Sequence, residues 1–127
     1  MNQSNYYYLK DKIILITGAA GLLGSSLAKR ACDSEATIVL TDYNKDKLNS
    51  ITQELQLKNK KVYSVCLDLS SKNSIDLLLN DVLSKFTRID CAVHCQYPKS
   101  EGFGDAFEEI KEEYLFKDLN MQLGISI

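Results

Sequence analysis

Apolar residues along this chain alternate between two rhythms. Lys12–Thr17 is a short β-rich run that ends at a glycine, and Gly21–Cys32 follows with Leu23, Leu27 and Ala31 at helical spacing. Thr37–Thr41 is a second apolar run. Leu48, Ile51 and Leu55 then mark one face of a helix over Lys45–Leu57, and Lys61–Leu67 reads as a third strand. The clearest helix comes next, with Ile75, Leu78, Leu79, Val82, Leu83 and Phe86 in the i, i+3, i+4, i+7 pattern and Ser70 or Ser71 as its cap. Ile89–Cys95 is a fourth strand. Gln96–Ala106 holds the only proline and two glycines, which predicts a loop long enough to be functional. A last helix begins between Phe107 and Glu112 and runs toward Gly124.

Strands alternating with helices through short connections predict an α/β fold: a doubly wound parallel sheet of four strands with helices on both faces. Continuous apolar runs such as Ile13–Ile16 suit strands buried on both sides. Residues 1–11, with three consecutive tyrosines, form a tail, and residues 12–127 form one domain. With 127 residues, 45% hydrophobic and 25% charged, the chain can build one packed core but not two ordinary ones.

Composition removes several classes of function. A pI near 5.4 and no basic cluster beyond Lys58, Lys60 and Lys61 argue against nucleic acid. No apolar stretch approaches transmembrane length, and the polar start shows no secretory signal, so a cytoplasmic location is expected. Cys32, Cys66, Cys91 and Cys95 form no Cys-x-x-Cys pair and are expected to be buried free thiols. No metal site is expected.

Candidate chemistry concentrates where the first strand meets the first helix. Gly18, Gly21 and Gly24 fall within Thr17-Gly-Ala-Ala-Gly-Leu-Leu-Gly24. In such a cluster one glycine makes the tight turn, one lets the backbone approach a pyrophosphate, and one lets the helix pack on the sheet. The helix N-terminus then offers its amides and dipole to the phosphates. Asp42 closes the second strand, 18 positions beyond Gly24. There it can accept from both ribose hydroxyls and repel a 2′-phosphate, which favours NAD over NADP. A cap beside Asn44 is the alternative role for Asp42. Asp68, after the third strand, either faces the adenine or caps the next helix.

These residues resemble the short-chain dehydrogenase/reductase family from Lys12 onward. Thr17-Gly-x-x-Gly-x-x-Gly24, Asp42, Asp68-Leu69 and Ile89-Asp-Cys-Ala-Val93 follow the order of that family's first half. Gly-Ala-Ala-Gly-Leu-Leu-Gly and the Tyr97-Pro98 pair resemble, within it, the oxidoreductases of flagellin modification and surface polysaccharide synthesis. The resemblance implies cofactor contacts from Thr17, Gly18, Ala20, Gly21, Leu22, Leu23, Gly24, Asp42, Tyr43, Asp68, Leu69 and His94. It also implies a supporting catalytic role for Asn120.

Two departures shape the expectation. His94-Cys95-Gln96-Tyr97 stands where the family commonly has Asn-Asn-Ala-Gly. The family's serine and Tyr-x-x-x-Lys pair would fall beyond Ile127. Tyr6 with Lys10 and Tyr43 with Lys47 match the spacing, but one precedes the first strand and the other opens the second helix. Ser126 follows the last helix directly and is a poor match for the serine. The leading expectation is the NAD-binding first half of an oxidoreductase that exchanges hydride between nicotinamide and an alcohol or carbonyl, truncated before its catalytic pair. A non-catalytic nucleotide-binding module and a fragment of a nucleotide-sugar epimerase or dehydratase are the alternatives. The fourth strand would form a sheet edge and the last helix would expose Tyr114, Leu115 and Leu119, which points to self-association.

Overall fold

A computed structural model describes residues 9–123. Strands β1 (Ile13–Thr17), β2 (Thr37–Asp42), β3 (Val62–Cys66) and β4 (Cys91–His94) form one parallel sheet in the order β3-β2-β1-β4. Helices α1 (Leu22–Cys32), α2 (Lys45–Gln56) and α3 (Lys72–Phe86) join successive strands. A 3-10 turn at Phe107–Glu109 precedes α4 (Glu112–Gln122). The chain steps outward from β1 to β3 and then returns to lay β4 on the other side of β1. Open α/β sheets bind their ligands beyond the strand C-termini at such a reversal.

The pleat sorts the apolar strand residues into two cores. Ile14, Ile16, Ile38, Leu40 and Val62 face α1 and α2, where Leu48, Ile51 and Leu55 meet them. Ile13, Leu15 and Val39 point the other way, against Leu69 and against Leu78 and Val82 of α3. The doubly wound expectation therefore holds. Burial on both faces holds only for β1 and β2, because β3 and β4 are the outer strands and have a neighbour on one side.

That placement also corrects the expectation for the thiols. Cys32 is buried and Cys95 half-buried, but Cys66 and Cys91 on the outer strands are exposed. A second finding concerns α1, where Leu23, Leu27 and Ala31 recur at helical spacing. Of these Ala31 packs on the core, half-buried, but the buried residues are Gly24, Ala28 and Cys32, and Leu22 and Leu23 are 91% and 63% exposed. Small side chains at i, i+4 and i+8 let α1 lie close to the sheet, and a leucine face would hold it away.

Side chains cap the N-termini of α2 and α3. The Asn44 side chain accepts from Lys47 N–H at 3.1 Å, and Ser71, not Ser70, caps α3 by accepting from Ser74 N–H at 3.2 Å. Asp68 caps no helix; its Oδ1 accepts from Ser70 N–H at 3.0 Å in the preceding turn. Tyr6, Gly124 and Ser126 lie outside the described residues.

Asp90 fastens β4 to β1. Ile13 N–H donates to its Oδ2 at 2.7 Å, while the Asp90 N–H donates to Ile13 O at 2.9 Å. Arg88 Nε adds bonds of 3.2 and 3.0 Å to the two carboxylate oxygens. The Ile13 amide, and after it Arg88, hold the Asp90 carboxyl below the usual carboxylate range. A lowered folded-state pKa stabilises the fold above the unfolded-state value, near 3.9, and that contribution fades as pH falls through the folded-state value. Asp90→Asn is therefore expected to lower Tm at pH 7, with the gap from the parent chain closing toward pH 3. A gap that stays constant across a pH series of thermal melts would contradict this role.

Candidate functional site

The turn between β1 and α1 is set by backbone contacts that only glycine permits. Gly18 has φ +65°, and a Cβ there would sit 2.7 Å from the Cys95 carbonyl carbon. A Cβ on Gly24 would lie 2.1 Å from Gly18 O. The first turn of α1 thus rests on the turn that precedes it, and Gly18 passes beside the backbone leaving β4. Gly21 is the N-cap residue of α1. No side chain caps this terminus and its first turn holds no acidic residue, so no carboxylate of the helix itself offsets its positive end.

Asp42 ties this turn to β2. Its Oδ2 accepts from Ala20 N–H at 3.0 Å and its Oδ1 from Asn44 N–H at 2.9 Å, while Ala19 N–H donates to Thr41 O at 3.1 Å. The carboxylate therefore has a fixed position at the rim, and Asn44 rather than Asp42 caps α2.

A cleft of about 520 Å³ opens above these strand ends. Gly18, Gly21, Asp42, Tyr43, Asp68 and Leu69 line it, so the structure brings together six of the residues singled out in the sequence. Ala20 contributes its N–H to Asp42, and Gly24 lies buried beneath. Thr17 and His94 are outside the lining and bond each other, Thr17 Oγ1 to His94 Nδ1 at 2.7 Å. Leu22, Leu23 and Asn120 are exposed and also outside it.

The sequence marked Gln96–Ala106 as a functional loop without assigning its residues a place. Cys95, Gln96, Tyr97, Pro98 and Lys99 form the opposite wall with Met121, and Leu67 and Ser70 border the cleft on either side of Asp68 and Leu69. The signal available was the reversal at β1 and β4, which places the residues just after β4 beside the glycine turn. Burial pushes the Cys95 thiol above its usual range, so it lines the wall as a neutral group. Tyr43 borders the cleft but Lys47 does not. Among the described residues no group of three His, Cys, Asp or Glu is placed to hold a metal, and no helix is long and apolar enough to cross a membrane.

The short chain dehydrogenase family model matches residues 12–113. The chain belongs to the short chain dehydrogenase family. It is 32% identical over 118 residues to the post-translational flagellin modification protein A of Campylobacter coli, covering 91% of this chain and 46% of that protein. Over 87 residues it is 32% identical to the 3-hydroxyacyl-CoA dehydrogenase type-2 of Drosophila melanogaster, 68% of this chain and 33% of that one. A short chain dehydrogenase from Mycobacterium smegmatis superposes with TM-score 0.82 at 28% identity, covering 94% of this chain and 50% of its own. This short chain dehydrogenase chain thus spans between a third and a half of the length of these relatives, and what it matches is the family's N-terminal region.

The close approach at Gly24 gives a direct test. In an open helix, replacing glycine by alanine gains about 1 kcal/mol. Gly24→Ala is expected instead to lose stability, because relieving its overlap with the Gly18 carbonyl oxygen costs roughly 3 kcal/mol, more than that gain offsets. Gly21→Ala, whose Cβ would stand 3.3 Å from the same oxygen, is expected to cost less. Urea denaturation giving the reverse order, or a stabilised Gly24→Ala, would show that the contact does not hold the turn.

Proposed function

We propose that this chain holds NAD for hydride transfer of the short chain dehydrogenase kind, acting on an alcohol or carbonyl, with Asp42 selecting NAD over NADP. The observation that carries the reading is the Asp42 carboxylate, fixed by two backbone N–H groups at the rim of a glycine-floored cleft. The donor set suits a dinucleotide. Glycine backbone that a Cβ would obstruct lies where a pyrophosphate must approach, and the uncapped α1 terminus supplies amides for its charge. Asp42 has two acceptor sites committed to Ala20 and Asn44, which leaves capacity for the two ribose hydroxyls. A 2′-phosphate would bring its charge against the same carboxylate. Tyr43, Asp68 and Leu69 form the adenosine side, and Gln96–Lys99, which follow β4, form the nicotinamide side.

When bound, the nicotinamide supplies the hydride chemistry. The described residues bind and orient: Tyr97 and Lys99 both line the cleft, but they stand two positions apart rather than four, and each packs on the Phe103 ring. Binding of the dinucleotide is therefore the activity that these residues support. The free cysteines fit a cytoplasmic setting. The outer position of β4 and the exposed Leu115, Phe116 and Leu119 of α4 support self-association of the isolated chain.

Calorimetry tests the reading. The chain is expected to bind NAD saturably and NADP about tenfold or more weakly, since one charge repulsion of about 1.4 kcal/mol suffices for that ratio. Asp42→Asn places an amide NH₂ against one of the two backbone donors, so NAD affinity is expected to fall about tenfold while the NAD/NADP gap narrows. No heat with millimolar NAD, or equal affinity for both dinucleotides in the parent chain, would overturn the assignment.

A further inference from the structure

Helix α4 buries none of its residues, yet one stripe of it is engaged at every turn. Tyr114, Asp118 and Gln122 recur at i, i+4 and i+8 and meet Gly102, Ser100 and Pro98 in reverse order. The Tyr114 ring lies so close to Gly102 that a Cβ there would stand 2.3 Å from Cδ2. Asp118 accepts from both groups that Ser100 offers, its N–H through Oδ1 and its hydroxyl through Oδ2, the latter at 2.9 Å. Gln122 Nε2 donates to Pro98 O at 3.0 Å. Four helical residues advance about 6 Å, close to the reach of two residues of open chain, so the two step together.

The loop held this way is the β4 side of the cleft. Its near end is pinned where Cys95 N–H donates to Thr17 O at 3.0 Å, and from there to Ser100 it has no helix or strand ladder of its own. Pro98 and Lys99, which line the cleft, adjoin Ser100, and Met121, beside Gln122 on α4, lines it too. Ser100 is only 8% exposed, so its amide and hydroxyl depend on the carboxylate for partners. Bonds to an ionised acceptor are the strong kind, and two converge on one residue here.

The geometry points to Asp118 as a positioning residue: by gripping Ser100 it fixes the Gln96–Lys99 wall against which a dinucleotide would lie. The role rests on the reading of the cleft as an NAD site. It acts at the β1/β4 end of the cleft, so it bears on the nicotinamide half of the ligand and not on the adenosine half near Asp42.

Three variants of the full chain, Asp118→Ala, Asp118→Asn and Ser100→Ala, separate the possibilities. Amide exchange without ligand should show faster exchange in Asp118→Ala at Ser100 and at Phe103, whose N–H donates to Ser100 O, with the β1 and β2 amides unchanged. Affinity for NAD is expected to fall about tenfold in Asp118→Ala and about threefold in Ser100→Ala, with Asp118→Asn between them. Affinity for AMP, which tests the adenosine side alone, is expected to stay within about twofold. Unchanged NAD affinity in all three variants overturns the role, as does an equal loss of AMP affinity, which would mark general unfolding. If the parent chain binds AMP and NAD equally weakly or not at all, the NAD reading fails and the assigned role with it. The exchange data still decide in that case whether the Asp118–Ser100 clasp holds the loop. Ser100→Ala removes one hydroxyl only, so it keeps the test open should Asp118→Ala fail to fold.

Discussion

Everything that places the cleft follows from one steric condition, the contact of Gly24 with the backbone of Gly18. With a Cβ excluded at 2.1 Å, α1 can begin almost on top of the turn that leaves β1. Its axis then continues close to the sheet, which only Gly24, Ala28 and Cys32 are small enough to allow. The same approach puts an uncapped helix terminus, worth about half a positive charge, at the mouth of the cleft. The left-handed backbone at Gly18 carries the chain past Cys95, so the turn also meets the strand that closes the other side of the cleft.

Asp42 makes this arrangement electrostatically consistent. A carboxylate at the end of β2 would be an unpaired charge at the rim, but two backbone N–H groups donate to it, one to each oxygen. One comes from the glycine turn and one from the start of α2, so a single side chain sets the distance between two loops. In the proposed NAD complex the same residue would select the ribose and fix the turn beneath the pyrophosphate, so recognition at one part of the dinucleotide would be linked to geometry at the next. Any change at Asp42 therefore disturbs both, and the two effects separate only by comparing ligands that differ at the 2′ position.

The strands and helices were legible because their periodicities are local properties. Ile14 and Ile16 reveal a strand wherever it sits, and Ile75 through Phe86 reveal a helix. Which face of α1 packs was not legible, because spacing reports where apolar residues recur and not which of them fit a close approach. Leu23 and Leu27 satisfied the rhythm while Gly24 satisfied the geometry. The thiols failed for a related reason: apolar neighbours mark Cys66 and Cys91 as strand residues, but only the strand order tells that both strands are outer ones. Gly18, Gly21 and Asp42 could be found because turn chemistry and ribose recognition demand those residue types. Ser100 and Asp118 could not, since a serine and an aspartate 18 positions apart carry no pattern until a loop is laid along a helix.

The two walls of the cleft differ in what holds them. On the β2 side the strands are anchored by fully buried side chains such as Ile38, Leu40 and Leu55, each worth about 1.5–3 kcal/mol of burial. On the β4 side α4 buries nothing, and its loop is held by hydrogen bonds whose net worth is about 1 kcal/mol each, somewhat more where Asp118 carries charge. Local opening must therefore begin at α4 and the loop while the glycine turn and β1–β2 remain intact. Such an order suits the proposed cofactor cleft: the rim and floor would stay preformed for the adenosine and phosphates, and the wall with the smaller holding energy is the one a ligand would displace and then reorder.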